Sequence, residues 1–161
     1  MPELLSELSK AGVQMAVVSN KFQEGTEHLV KEFFPDVDFV AILGNRPGWP
    51  LKPSPEIVED VLKRVDGGGE PGAPSPGISR ADAILVGDSP TDMRTAANGG
   101  IDAIAVAWGY RSPEELAEFL ASEPASAVPL GAPALGAPAG PVSRPRIARN
   151  ADELRRMLIN D

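Results

Sequence analysis

The chain has 161 residues, of which 42% are hydrophobic and 24% charged, with a formal net charge of −8. That length holds one domain with a real core, and the acidic balance argues against the basic face that broad nucleic-acid binding needs. With no Cys and a single His, disulfide scaffolds, thiol chemistry and zinc sites built on Cys or several His are excluded.

No apolar run approaches the roughly 18 residues that span a bilayer, so no membrane partner is expected. The start, Met1-Pro2-Glu3-Leu4-Leu5, is acidic and amphipathic, unlike a signal peptide, and the cytoplasm is the expected location. Leu4, Leu5, Leu8 and Ala11 recur at helical spacing, and Gly12 stops that helix. The β-branched run Val13 to Val18 predicts a buried strand. Residues 24–34 predict a helix with Leu29, Val30, Phe33 and Phe34 inward, closed by Pro35. Val37 to Leu43 predicts a second strand, and residues 44–53 a loop rich in Gly and Pro. Pro55 suits the first turn of a helix with Ser54 as its cap, and Ile57, Val58, Val61 and Leu62 continue the apolar stripe.

Residues 66–77 read as a surface loop. Ala83 to Val86 predicts a third strand, Thr91 to Asn98 a helix closed by Gly99-Gly100, and Ile101 to Ala107 a fourth strand. Ser112-Pro113-Glu114-Glu115 is a helix start with a cap, a first-turn Pro and acids near the helix N-terminus. Residues 122–145 are Ala/Pro/Gly-rich with a short LGAP repeat and read as a disordered insertion. Ala151 to Ile159 predicts a last amphipathic helix. The expected organisation is a core over 1–121, the insertion over 122–145, and a C-terminal segment over 146–161 that packs back on the core. Apolar strands alternating with helices predict a parallel, doubly wound α/β sheet.

Chemistry gathers where strands end. Gly87-Asp88-Ser89-Pro90-Thr91-Asp92 follows the third strand and sets two carboxylates one helical turn apart at a helix start. Oxygen-only ligands of this kind suit Mg²⁺, with backbone N–H groups facing the same place; the sequence alone also fits a capping Asp beside a solvated one. Ser19 and Asn20 follow the first strand and could hold a phosphate oxygen, although Ser-Asn after a strand is also a common turn or cap. Lys52, between Pro50 and Pro53, could neutralise a phosphate or a carboxylate cluster, or simply be a solvated lysine. His28, Lys21, Trp49, Trp108 and Arg111 carry weaker signals: a surface helix side chain, a solvated cation, two packing or rim aromatics, and a candidate ligand contact.

The order Ser, Lys, then Gly-Asp-x-x-x-Asp resembles the second to fourth motifs of the haloacid dehalogenase superfamily. The segments PELLSELSKAGVQMAVVSNK, LKPSPEIVEDVLKRV, AILVGDSPTDMRTAANGGIDAIAVAWGY and NADELRRML are similar to its phosphoglycolate phosphatase-like branch. The resemblance implies a Rossmann-like core and a Mg²⁺-dependent phosphatase of a small phosphorylated metabolite, with 2-phosphoglycolate one candidate. It implies that Ser19 and Asn20 bind the phosphoryl group, that Lys52 binds phosphate and offsets charge, that Asp88 ligates Mg²⁺, and that Asp92 supports the metal or the lysine. Catalysis would be electrostatic stabilisation of phosphoryl transfer.

That superfamily also uses an Asp-x-Asp motif at the end of a central strand, the first Asp as nucleophile and the second as acid and base. No such strand is present here. Asp36-Val37-Asp38 and Asp102 precede strands and are rejected. The resemblance places the absent strand between those ending at Ser19 and Gly87, whose edges would stay unpaired or pair with each other. A true start upstream of Met1, with the nucleophile and a substrate-selecting cap, is therefore expected. This chain alone is then expected to be inactive, and a non-catalytic module that keeps the phosphate and Mg²⁺ sites is the alternative. A receiver-type domain is set aside, because its acids precede its Lys.

Overall fold

Two short parallel sheets, sharing the same helical layers on either side, form the protein in the computed structural model, which describes residues 1–65, 78–109, 111–122 and 145–159. Helix α1 (Pro2–Lys10) buries Leu4 and Leu8 and ends where Gly12 takes φ 79°, a left-handed turn that glycine enters without steric cost. Strand β1 (Met15–Phe22) pairs in parallel with β2 (Phe39–Asn45) across helix α2 (Gln23–Phe33). Helix α3 (Glu56–Val65) follows, and a 3-10 turn at Arg80–Asp82 leads into β3 (Ile84–Gly87). Helix α4 (Pro90–Gly99), β4 (Asp102–Val106), helix α5 (Pro113–Ser122), β5 (Arg146–Ala148) and helix α6 (Ala151–Ile159) complete the order. The second sheet runs β3-β4-β5, all parallel.

One apolar cluster sits under α3, α4 and α5 and joins Leu43, Ile57, Leu85, Met93 and Leu116, with Ala16 and Val18 packed against it. The other joins Leu4, Leu8, Ile104, Ala148 and Leu154, with Met15 and Ile84 packed against it. β1 and β3 each contribute to both clusters, so the two sheets occupy one layer. They are not hydrogen-bonded to each other. The division falls between β1 and β3, which leave their edges apart rather than pairing.

A side chain sets the register of the first sheet. Gln23 Nε2 donates to Ile42 O at 2.8 Å, and its Oε1 accepts from Gly44 N at 2.6 Å. A Cβ on Gly44 would collide with the Gln23 backbone, so only glycine permits this approach. Arg80 braces the second sheet's entry, donating to Gly99 O and to Glu59 Oε1.

Most expected elements appear within about two residues, the usual uncertainty of element boundaries. β1 runs past Val18 to Phe22, so Ser19 and Asn20 lie in the strand instead of after it. At the start of α3, Pro55 O accepts from Val58 N and Glu59 N. Pro55 therefore stands at the cap, and the Ser54 hydroxyl donates to Glu56 Oε2 at 3.2 Å. β5 was not foreseen as a strand. The loop expected over residues 66–77 and most of the insertion expected over 122–145 lie outside the described residues. Among the described residues no helix is long and apolar enough to cross a membrane.

Candidate functional site

Open parallel α/β sheets bind ligands beyond the carboxyl ends of their strands. Lys52, Asp92 and Asn20 meet there. Lys52 reaches from the loop after β2 and donates through Nζ to Val18 O at 3.1 Å and to Asp92 Oδ1 at 2.6 Å. Its side chain is 13% exposed and that of Asp92 8%. One ammonium thus links the first sheet's inner strand to the helix that follows β3. A buried ion pair is stable only when its remaining polar atoms are also satisfied. Asp92 meets that condition: its Oδ2 accepts from Ser89 N at 3.1 Å and from Ser89 Oγ at 2.6 Å.

Those Ser89 contacts are half of a capping box, the other half being Asp92 N donating to Ser89 Oγ at 3.2 Å. The box holds the Asp92 carboxylate in the first turn of α4, where the helix dipole favours negative charge. Gly87 is required by the same packing, since a Cβ there would collide with the Asp92 side chain. Sequence reasoning passed over Ser89 as a partner, although Ser-x-x-Asp at a helix start is a readable signal.

Asn20 and Ser19 are placed differently from each other. The Asn20 amide faces the Lys52 main chain: Lys52 N donates to Asn20 Oδ1 at 2.9 Å, and Asn20 Nδ2 donates to Lys52 O at 3.1 Å. Asn98 of α4 holds the next carbonyl, donating to Pro53 O at 2.8 Å. Ser19 Oγ accepts from Lys21 N at 3.1 Å, and the β1–β2 ladder is irregular between Val18 and Phe22. Such irregularities re-aim side chains at strand ends.

Asp88 is half-buried just past β3, and a Cβ on Gly109 would overlap its carboxylate. Mg²⁺ takes one or two protein carboxylates and keeps several waters. Asp88 fits as one such ligand. Asp92, expected beside it, has both its oxygens hydrogen-bonded, Oδ1 to Lys52 and Oδ2 to Ser89. Among the described residues no group of three or more His, Cys, Asp or Glu is placed to hold a metal.

The weaker candidates are all exposed. His28 is 79% exposed and pairs with Glu32 at 3.6 Å. Lys21 is exposed. Arg111 pairs with Glu115 at 3.3 Å. Trp49 and Trp108 are each 39% exposed, and Trp49 lies under the Arg46 guanidinium, 4.8 Å from its ring centre. Asp36 and Asp38 precede β2, and Asp102 opens β4 instead of ending a strand.

A parallel α/β layer with a largely buried Lys–Asp pair at the carboxyl ends of its strands defines a Rossmann-like protein. Residues 1–106 match the haloacid dehalogenase-like hydrolase family, and the chain belongs to that family. It is 32% identical over 106 residues to the "Putative pyrophosphatase PpaX" of Caldanaerobacter subterraneus, covering 66% of this chain and 43% of that one. It is 29% identical over 116 residues to a phosphoglycolate phosphatase of Pseudomonas savastanoi, covering 72% of this chain and 39% of that one. A crystal structure named "putative phosphoglycolate phosphatase", from Lactobacillus delbrueckii, superposes with a TM-score of 0.71 at 30% identity, covering 99% of this chain and 52% of that one. The chain spans about half or less of the length of these relatives.

Proposed function

We propose that this chain is the phosphate-binding and charge-balancing part of a phosphatase that acts on small phosphomonoesters. The observation that carries the reading is the Lys52–Asp92 pair, 2.6 Å long and largely buried at the strands' carboxyl ends, with Ser19 between two residues that both contact Lys52. In this reading Lys52 neutralises the transferring phosphoryl oxygens, Ser19 and nearby N–H groups orient them, and Asp92 holds the ammonium in place. Asp88 would hold Mg²⁺, whose charge would add to the stabilisation of the phosphoryl oxygens.

The attacking carboxylate that forms an aspartyl-phosphate is not among these residues: no described strand ends in Asp-x-Asp. The interval between β1 and β3 is where a strand carrying it would sit. A small phosphorylated metabolite in the cytoplasm completes the proposal. The names of the relatives make 2-phosphoglycolate and inorganic pyrophosphate the first substrates to assay.

Calorimetric titration of the chain with inorganic phosphate tests this. Binding should occur, and Lys52→Ala should weaken it by about 10-fold to 100-fold, the range for a hydrogen bond to a charged group. Hydrolysis of either substrate by this chain should fall orders of magnitude short of a complete enzyme, as expected without a nucleophile. Absence of phosphate binding, or binding indifferent to Lys52, would overturn the assignment. Phosphate and Mg²⁺ binding by a native protein of this length, without turnover, would favour the non-catalytic alternative.

A further inference from the structure

We propose that Asn20 is a positioning residue that acts through Lys52, and not a phosphate ligand. The inference rests on the reading of Lys52 as the phosphate-binding cation and names what fixes that cation. Two atoms of the Asn20 amide are committed: Oδ1 accepts from Lys52 N at 2.9 Å and Nδ2 donates to Lys52 O at 3.1 Å. The orientation is unambiguous, because a flipped amide would set acceptor against acceptor and donor against donor. The amide behaves as a one-residue strand partner for a loop that has no ladder of its own.

Lysine needs such a mount. Its ammonium sits on a flexible four-carbon stem, so a charge delivered to one point requires a fixed main chain as well as fixed acceptors. β1 supplies both, with Val18 O receiving Nζ at 3.1 Å and Asn20, two residues on, holding the backbone. From helix α4, beside the other sheet, Asn98 holds the adjoining Pro53 carbonyl at 2.8 Å and Asp92 holds Nζ at 2.6 Å. Lys52 is thus gripped at its base and at its tip from both sides of the division between the sheets. Asn20 itself is exposed, so its removal frees the Lys52 main chain to water without opening the core.

The test uses the phosphate-free chain first. Exchange of the Lys52 ammonium protons with water, followed by nitrogen-15 NMR, reports how firmly Nζ is held. Asn20→Ala should speed that exchange by about tenfold, the scale of one or two lost net hydrogen bonds, and should weaken inorganic phosphate binding by a similar factor. An unchanged ammonium signal with weakened phosphate binding would overturn the proposal, since Asn20 would then touch the phosphate itself; so would no change in either. If Asn20→Ala does not fold, Asn20→Ser is read by the same two measurements. A chain that binds no phosphate sinks the phosphatase reading, while the ammonium exchange still decides whether Asn20 positions Lys52.

Discussion

The middle strand of one sheet, β4, and the first strand of the other, β1, are built from similar residues and buried very differently. β4 has Ala103, Ile104 and Ala105 at 4%, 0% and 0% exposure, flanked on both sides by β3 and β5. β1 carries Met15, Ala16, Val17 and Val18, an equally apolar run, yet none of these side chains is fully buried. At the facing edge of the other sheet, Val86 of β3 is 40% exposed. A strand apolar along its length is the pattern of one covered on both faces and paired on both edges. β4 achieves that state and β1 does not. The composition of β1 and β3 thus fits a continuous sheet better than the divided one observed, and Lys52 crosses the division with a single side chain.

The largest effect should come from the well-covered side. Ile104→Ala empties a fully buried site and should cost about 3–4 kcal/mol in urea unfolding. Val17→Ala on half-exposed β1 should cost about 1 kcal/mol. Equal costs would break the contrast between the sheets. Next comes the link: Lys52→Ala leaves the buried Asp92 carboxylate without its cation and should cost about 3 kcal/mol in the same assay. Arg155→Ala, which removes an exposed pair with Glu7, should leave the unfolding midpoint unchanged. A harmless Lys52→Ala would mean that the link does not hold the two sheets together.

Hydrogen exchange sharpens the comparison without mutation. Amides of β4 should exchange only on global unfolding, while those of β1 exchange by local opening; identical rates would contradict the exposure pattern. The smallest effect is far from the division. Glu115 Oε2 accepts from Ser112 N at 2.9 Å, a backbone bond that, with help from Arg111, holds its carboxyl below the ordinary glutamate value. A lowered value in the folded state stabilises the start of α5 above the unfolded value and loses that contribution as pH falls through the folded one. The Ser112 amide signal should therefore titrate at a pH below that of an ordinary glutamate.

Ser19, Lys52, Asp88 and Asp92 were singled out from the sequence because a hydroxyl, an ammonium and carboxylates at strand ends carry a chemical meaning that spacing preserves. Four of the strands were foreseen for a similar reason, a run of apolar residues bounded by turn signals. What escaped were features made by contacts distant in sequence. Asn20 and Lys52 are 32 residues apart, and no periodicity announces that an amide will bind a backbone. β5 is three residues long, too short for any alternation, and exists because β4 offers it a ladder. Asp92 reads equally well as a ligand or a lysine partner until Ser89 and Lys52 are seen to claim its oxygens.

The Gln23 amide has a consequence for assembly of the site. A strand with no fully buried side chain, such as β1, can slide against its neighbour, because little is lost when the pairing shifts. Gln23 removes that freedom: its head fits across Ile42 and Gly44, and only a glycine lets it in. It works as an index pin. Once it has dropped into place, the end of β2 is set relative to β1, and the proline-stiffened stretch up to Lys52 has one starting point. An ammonium that must land between Val18 and Asp92 depends on a mark cut eight positions earlier in the chain, at Gly44.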